Sequence, residues 1–159
     1  PPGKPVGFFR FCARQEQQPG GEHRKSLARA KKTLKLLTKR NRGRNVHRVM
    51  QEVKVFIRGW IGYFRVADMK RTLLSWDEWM RRRFRMYIWK QWKKPRTKVA
   101  NLRKLGIPAD KAYQWGNSRL GYWRIAGSLV LKCSITNERL AAAGYFSILN
   151  YYESLHLCG

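Results

Sequence analysis

The clearest pattern in the chain is a run of apolar residues at helical spacing: Val46, Val49, Met50, Val53, Phe56, Ile57, Trp60, Ile61 and Phe64. Residues three and four apart share one face of a helix, so the spacing predicts a helix over 46–64. Gly59 and Gly62 lie inside it. Each costs about 1 kcal/mol of helix propensity against Ala, so each is expected to admit another backbone, from a packed helix or from RNA. Upstream, Leu27, Ala30, Leu34 and Leu37 form a second stripe, predicting a helix of about fifteen residues opened by Ser26. Gly43 is placed to take a left-handed conformation, and Asn45 to cap the next helix. Downstream, Leu73, Trp76, Met80, Phe84, Tyr87 and Ile88 gather on one side of a predicted helix over 71–92. Pro95 stops it.

Shorter helices are expected over 97–105, 109–115, 137–143 and 146–155, the last with little net charge and a packing role. Between them, 116–128 reads as an ordered, glycine-rich loop pinned by Tyr122 and Trp123. Residues 156–159 read as frayed. Residues 1–23 are broken by Pro1, Pro2, Pro5, Pro19 and Gly20-Gly21 and read as irregular. Val6 to Phe11 is a strand-like run with no partner. The fold class is therefore mainly α, with a short N-terminal strand-like remnant.

Charge changes the picture. The 159 residues carry 35 Lys plus Arg against 9 Asp plus Glu, a formal charge of +26. Such an excess repels itself when compact and calls for a polyanionic partner, with nucleic acid foremost and binding that weakens with salt. A soluble protein that is merely basic is the plainer alternative. The excess is concentrated: eleven basic residues and no acid lie in 24–51, and eleven and none in 81–109. Hydrophobics at 43% and aromatics at 13% exclude a disordered basic tail. On the helical projection Arg81, Arg82, Arg85, Trp89 and Trp92 fall on a face apart from the core stripe. Two readings stay open for it, stacking on bases or sugars and packing beneath a later loop.

Catalytic signatures are missing from the sequence. Cys12, Cys133 and Cys158 form no C-x-x-C pair, and His23, His47 and His156 are scattered, which argues against a zinc ribbon and fits a reducing cytosol. No phosphate-binding loop, dinucleotide fingerprint or nucleophile elbow occurs. Asp77-Glu78 is the sole adjacent acid pair. It reads as a solvated helix face with Arg81 and Arg82 as partners rather than a metal site. No apolar run is long enough to cross a membrane, and the first residues do not read as a signal peptide. The chain does not begin with Met, so a fragment or processed product is expected.

Arg58-Gly59-Trp60-Ile61-Gly62-Tyr63-Phe64-Arg65, then Trp79 through Thr97 with its Trp89-Lys90-Gln91-Trp92-Lys93, then Asn101 to Pro108 and Ser118 to Ala126, resemble the maturase-specific domain (domain X) of bacterial group II intron reverse transcriptases. Lys25 through Arg44 resembles the thumb of the same proteins, and Val6 to Phe11 the end of their polymerase domain. The resemblance implies a remnant of the polymerase domain over 1–23, a helical thumb leading toward domain X over 24–66, and domain X over 67–159. It implies binding to group II intron RNA, help with its folding and splicing, contact with template and primer, and a cytoplasmic, bacterial setting without membrane. The fingers and palm, with their Tyr-x-Asp-Asp metal site, have no counterpart in these residues. No catalytic residue and no cofactor are therefore expected here, Mg2+ belonging to the polymerase domain and to the RNA. Alternatives are a general basic RNA- or DNA-binding protein and an inactive remnant of a mobile retroelement. The expected RNA-binding residues are Lys31, Lys35, Lys39, Arg40, Arg42, Arg44, Arg48, Arg58, Arg65, Arg81, Arg82, Arg85, Lys93, Lys94, Arg96 and Lys98, with Trp89, Trp92, Tyr122 and Trp123 as stacking candidates.

Overall fold

A computed structural model describes residues 21–158. Among these there are nine α-helices, one 3-10 turn and no strand. The strand-like run at 6–11 lies outside the described residues. The chain divides into two compact units, Pro1–Lys35 and Leu36–Gly159.

In the first unit the described structure is the body of α1 (Gly21–Leu37). Ala30 and Leu34 of its predicted stripe are buried, while Lys31, Lys32 and Lys35 are exposed. The helix begins at Gly21 rather than at Ser26, so residues 21–23 are not irregular as expected.

The second unit begins with the turn that ends α1. A 3-10 turn (Arg40–Arg42) is followed by Gly43 at φ 66°, the left-handed conformation that glycine adopts without a Cβ penalty. Asn45 then caps α2 (Val46–Phe64), its side chain accepting from the His47 backbone N–H at 3.0 Å. The bounds of α2 are those predicted. Val46, Val49, Met50, Val53, Ile57 and Ile61 are buried. Trp60 and Phe64 are only half-buried, with Trp60 ring centroids 4.8 Å from Phe64 and 5.3 Å from Trp76. Gly59 and Gly62 do not serve close helix packing. A Cβ at either would meet nothing within 4 Å, because both lie on the exposed side of α2 with Val55.

The central element is α3 (Lys70–Gln91). Residues 83–87 are buried on every side, since α2, the 3-10 turn, α6 and α9 all pack against α3. Two buried arginines tie this helix to its surroundings. Arg83 donates to Thr38 Oγ1 at 2.5 Å and to the Thr38 carbonyl at 3.3 Å. Arg85 donates to the Ile135 carbonyl and to Asn137 Oδ1, both at 2.8 Å. Burial lowers the proton affinity of each guanidinium; for Arg85 the neighbouring Arg81 charge adds to it.

Asp77 corrects the reading of a solvated acid pair. It is 1% exposed. Its Oδ1 accepts from the Tyr145 hydroxyl at 2.6 Å and the Ile148 N–H at 2.9 Å. Its Oδ2 accepts from the Ser147 hydroxyl at 2.8 Å and the Leu149 N–H at 2.9 Å. These donors stand at the start of α9 (Ile148–Leu157), where unpaired backbone N–H groups and the helix dipole favour a negative charge. Burial, with the Asp77 charge beside it, pushes the Tyr145 phenol far above its ordinary pKa and keeps it a donor. Ile148 and Tyr152 bury the other side of α9, and Tyr152 donates to the Ala67 carbonyl at 2.7 Å. His156 and Leu157 belong to this helix rather than to a frayed end.

The remaining helices are short. Pro95 opens α4 (Pro95–Lys104) from its first turn, a position where its missing N–H costs nothing. It packs against α5 (Ala109–Gly116), and Gly116 lies so close to Val99 that a Cβ would overlap its side chain. The expected loop at 116–128 contains a helix, α6 (Tyr122–Ala126), with Ile125 and Ala126 buried. Next come α7 (Leu129–Ser134), which was not expected, and α8 (Asn137–Ala142), capped by Thr136.

Candidate nucleic-acid interface

The site grows out of the end of α3. Up to Tyr87 one side of this helix faces the core. At Lys90, three residues on, that side has run past the core and emerges among cations. Tyr87 donates to the Arg44 carbonyl at 2.5 Å, and Gln91 to the same oxygen at 3.0 Å, which fixes the 40–45 turn beside the helix end. Together they enclose a cleft of about 610 Å³ whose walls include Arg40, Arg44, Lys90 and Lys93 and, among the described residues, no carboxylate. Lys93 adopts φ 38°, a conformation rare outside glycine, where the chain turns out of α3 toward α4.

Tyr122 of α6 forms the centre. Arg40 Cζ lies 4.5 Å from its ring centroid, Lys90 Nζ 5.3 Å and Lys98 Nζ 5.5 Å. One ring thus gathers cations from the 3-10 turn, α3 and α4. Any two of them are closer than the sum of their ring distances, on the order of one Debye length at 0.1 M salt. A cation over an exposed ring gains about 0.5–1 kcal/mol, which offsets the mutual repulsion without removing the charge. Arg40, Lys90, Lys93 and Lys98 have no carboxylate partner among the described residues. The field they create is available to an outside anion.

Arg42, Arg44 and Arg48 behave differently. All three converge on Glu52: Arg42 at 2.9 Å, Arg48 at 3.8 Å, and Arg44 in direct contact. Desolvation alone would raise the Glu52 pKa, but Arg42 and Arg44 outweigh it and hold the carboxyl below its ordinary value. Arg42 also donates to the Leu37 carbonyl at 2.7 Å. These arginines shape the turn, and their charge is partly answered from within.

A second cleft, of about 900 Å³, lies along the preceding turns of α3. Arg81, Arg82, Arg85 and Lys132 line it, but so do Glu78 and Glu138, with Trp79 and Trp123. Arg82 stacks on Trp123 at 4.1 Å and donates to its carbonyl at 2.8 and 3.1 Å. Gly127 makes room for this, since a Cβ there would stand 2.8 Å from the guanidinium carbon.

The proposed face of five residues is therefore not one open surface. Arg85 and Trp89 are buried, at 6% and 2% exposure, which realises the packing alternative and corrects their placement as RNA contacts. Segments 122–137 and 95–104 cover them; Lys98 lies 4.8 Å over the Trp89 ring. Arg81, Arg82 and Trp92 are half-buried. Lys31 and Lys35 are exposed on α1 in the first unit. Lys39, Lys94 and Arg96 are exposed and line neither cleft. Arg58 and Arg65 are exposed elsewhere, Arg58 lying 6.0 Å over Tyr151. Lys90, Trp79, Lys132, Glu78 and Glu138 were missed. Lys90 sits three residues beyond the core Tyr87, and that spacing was its available signal; Lys132 had none. Among the described residues, no group of three or more His, Cys, Asp or Glu could hold a metal ion, and no helix is long and apolar enough to cross a membrane.

These features define a basic helical domain with a cationic cleft that has no acid among the described residues and a mixed-sign aromatic cleft. Residues 27–106 match the family model described as Group II intron, maturase-specific domain, and the chain belongs to that family. Its function is accordingly related to group II intron maturases. No curated protein matches the chain.

Proposed function

We propose that this chain binds group II intron RNA and assists its folding and splicing, as the C-terminal part of an intron-encoded reverse transcriptase. One observation carries the reading: Arg40, Lys90 and Lys98 converge on Tyr122 with no carboxylate among them. Phosphates of a folded RNA are the anions whose spacing suits cations held on separate elements. Contact with Lys93 and the exposed Lys94 and Arg96 extends the same strip along the chain. Residues 24–66 act as thumb and entry to domain X, and 67–159 as domain X, in this proposal; the family match spans 27–106. The partners are intron RNA, template and primer, and the polymerase domain.

Filter binding of the chain to its cognate intron RNA over a salt series tests the reading. Neutralising four phosphates gives a log–log slope of roughly −3 to −4. A flat salt response would sink the proposal. Splicing of the same intron at low magnesium, with and without the chain, tests the maturase step. Equal affinity for unrelated structured RNA and no gain in splicing would instead favour a general nucleic-acid binder.

A further inference from the structure

The cleft between Trp79 and Trp123 is poorly suited to phosphate. Glu78 and Glu138 line it, and neither has an ion-pair partner among the described residues. This is unexpected for Glu78, because Arg82 stands four residues along the helix, where an ion pair ordinarily forms. Arg82 is instead held by the Trp123 carbonyl and ring. Arg85 is held by Ile135 and Asn137. Two of the three arginines in the cleft are thus occupied, and neither Glu78 nor Glu138 is ion-paired with the third, Arg81, so both carboxylates stay free to accept hydrogen bonds.

We propose that this cleft receives one unstacked guanine of single-stranded RNA. The inference rests on the RNA-binding reading above and names what this second site selects. Unpaired bases are read by stacking on aromatic rings and by hydrogen bonds to their Watson–Crick edges. Trp123, 37% exposed, offers the ring, and it is held in place by Arg82 before anything binds. A carboxylate accepts through both oxygens and donates nothing. The guanine edge presents two adjacent donors, N1–H and the N2 amino group, which match it. Cytosine and adenine present one amino group each. Uracil flanks its single N–H with two carbonyls that a carboxylate repels. Arg81 and Lys132, on the same walls, are the cations available to the flanking phosphates.

The test uses the full chain and fluorescein-labelled oligouridylates of about nine nucleotides, within the usual range for single-strand sites, each with one central G, inosine, A, C or U. Anisotropy titrations should show the G oligonucleotide binding about tenfold tighter than the all-U one, the effect of one good bidentate contact. Inosine, which lacks the N2 amino group, should fall between them. The double variant Glu78→Ala/Glu138→Ala, both positions exposed, should bind every oligonucleotide at least as well but lose the G-to-U ratio. Equal affinity for all five probes in the native chain, or a G-to-U ratio retained in the double variant, overturns the guanine site. Lys90→Ala/Lys98→Ala separates this from the RNA reading: it should weaken all probes equally and leave the ratio intact. If no probe binds in a salt-dependent way, both readings fall; if all bind alike, only the guanine site falls.

Discussion

Tyr122 and Trp123 are consecutive residues of one short helix, yet they serve two different regions. Tyr122 gathers Arg40, Lys90 and Lys98 beside a cleft with no acid among the described residues. Trp123 stacks with Arg82 on a cleft that contains two carboxylates. Both clefts have four basic residues in their walls. What differs is whether those cations already have partners. In the first, Arg44 is paired with Glu52, but Arg40 and Lys90 lie over the Tyr122 ring and, with Lys93, have no carboxylate partner among the described residues. In the second, Arg82 and Arg85 are spent on backbone carbonyls and fix the architecture. A net charge of +26 therefore does not describe a uniform surface. Much of it is structural.

The strongest way to break the comparison is to remove the scaffold under one region alone. Asp77 precedes Glu78 and Trp79 and joins α3 to α9 and the residues leading into it through four hydrogen bonds. Asp77→Ala leaves buried donors unpaired and should destabilise the chain by about 3 kcal/mol, read by urea denaturation. In the fraction that stays folded, the Tyr122 cluster lacks any contact with Asp77, so salt-dependent RNA binding should persist. Asp77→Asn keeps the shape and should cost less.

Next in size is the triple variant Arg40→Ala/Lys90→Ala/Lys98→Ala. It should weaken intron RNA binding about a hundredfold near physiological salt and flatten the salt slope by roughly 2 to 3. The melting temperature should fall only slightly, because Lys98 alone of the three has a buried partner, the Trp89 ring. An unchanged slope would remove the distinction between free and occupied cations. Gly127→Ala is a smaller intervention on the other side. Its methyl group would displace the Arg82 guanidinium, releasing it toward Glu78. The expected cost in stability is about 1 kcal/mol, with Tyr122-centred binding unaffected.

How far these regions could be read from sequence depends on where their partners lie. α2 was legible to its end residues because nine apolar positions keep one period. The Asn45 cap was legible because capping is local. Arg85 and Trp89 were not, because what buries them comes from residues 95–137, distant in sequence, and a projection of one helix cannot see a cover supplied by others. Asp77 failed for the same reason: its donors start 68 residues away. Tyr122 reads from sequence as a stacking candidate, but its helix reads as a loop, since five residues are too few to show a period. The cationic strip was legible in charge density. The division between free and occupied cations was not, because it rests on which carbonyls and rings each guanidinium meets.

The finest test of that division uses the acid nearest the first cleft. Glu52 holds Arg44, a residue of the cleft wall, together with Arg42 and Arg48. Its pKa is lowered in the folded chain, so its stabilising contribution is present above the unfolded value, near 4.5. That contribution is lost as pH falls through the lower, folded value. The pair is partly exposed, with Glu52 side-chain exposure of 24%, so the contribution should be below about 1 kcal/mol. Glu52→Gln should remove this acid-side loss from a stability-against-pH profile. At neutral pH the same substitution frees Arg44 and its neighbours. RNA affinity should then rise a few-fold, and the salt slope should steepen by about 1. Removing an acid from a chain this basic raises affinity in any case; the steeper slope is what identifies newly available phosphate contacts. A gain in affinity with the slope unchanged would mean that the Glu52 arginines act only on the shape of the turn, and that Arg40, Lys90, Lys93 and Lys98 are the whole of the anion site.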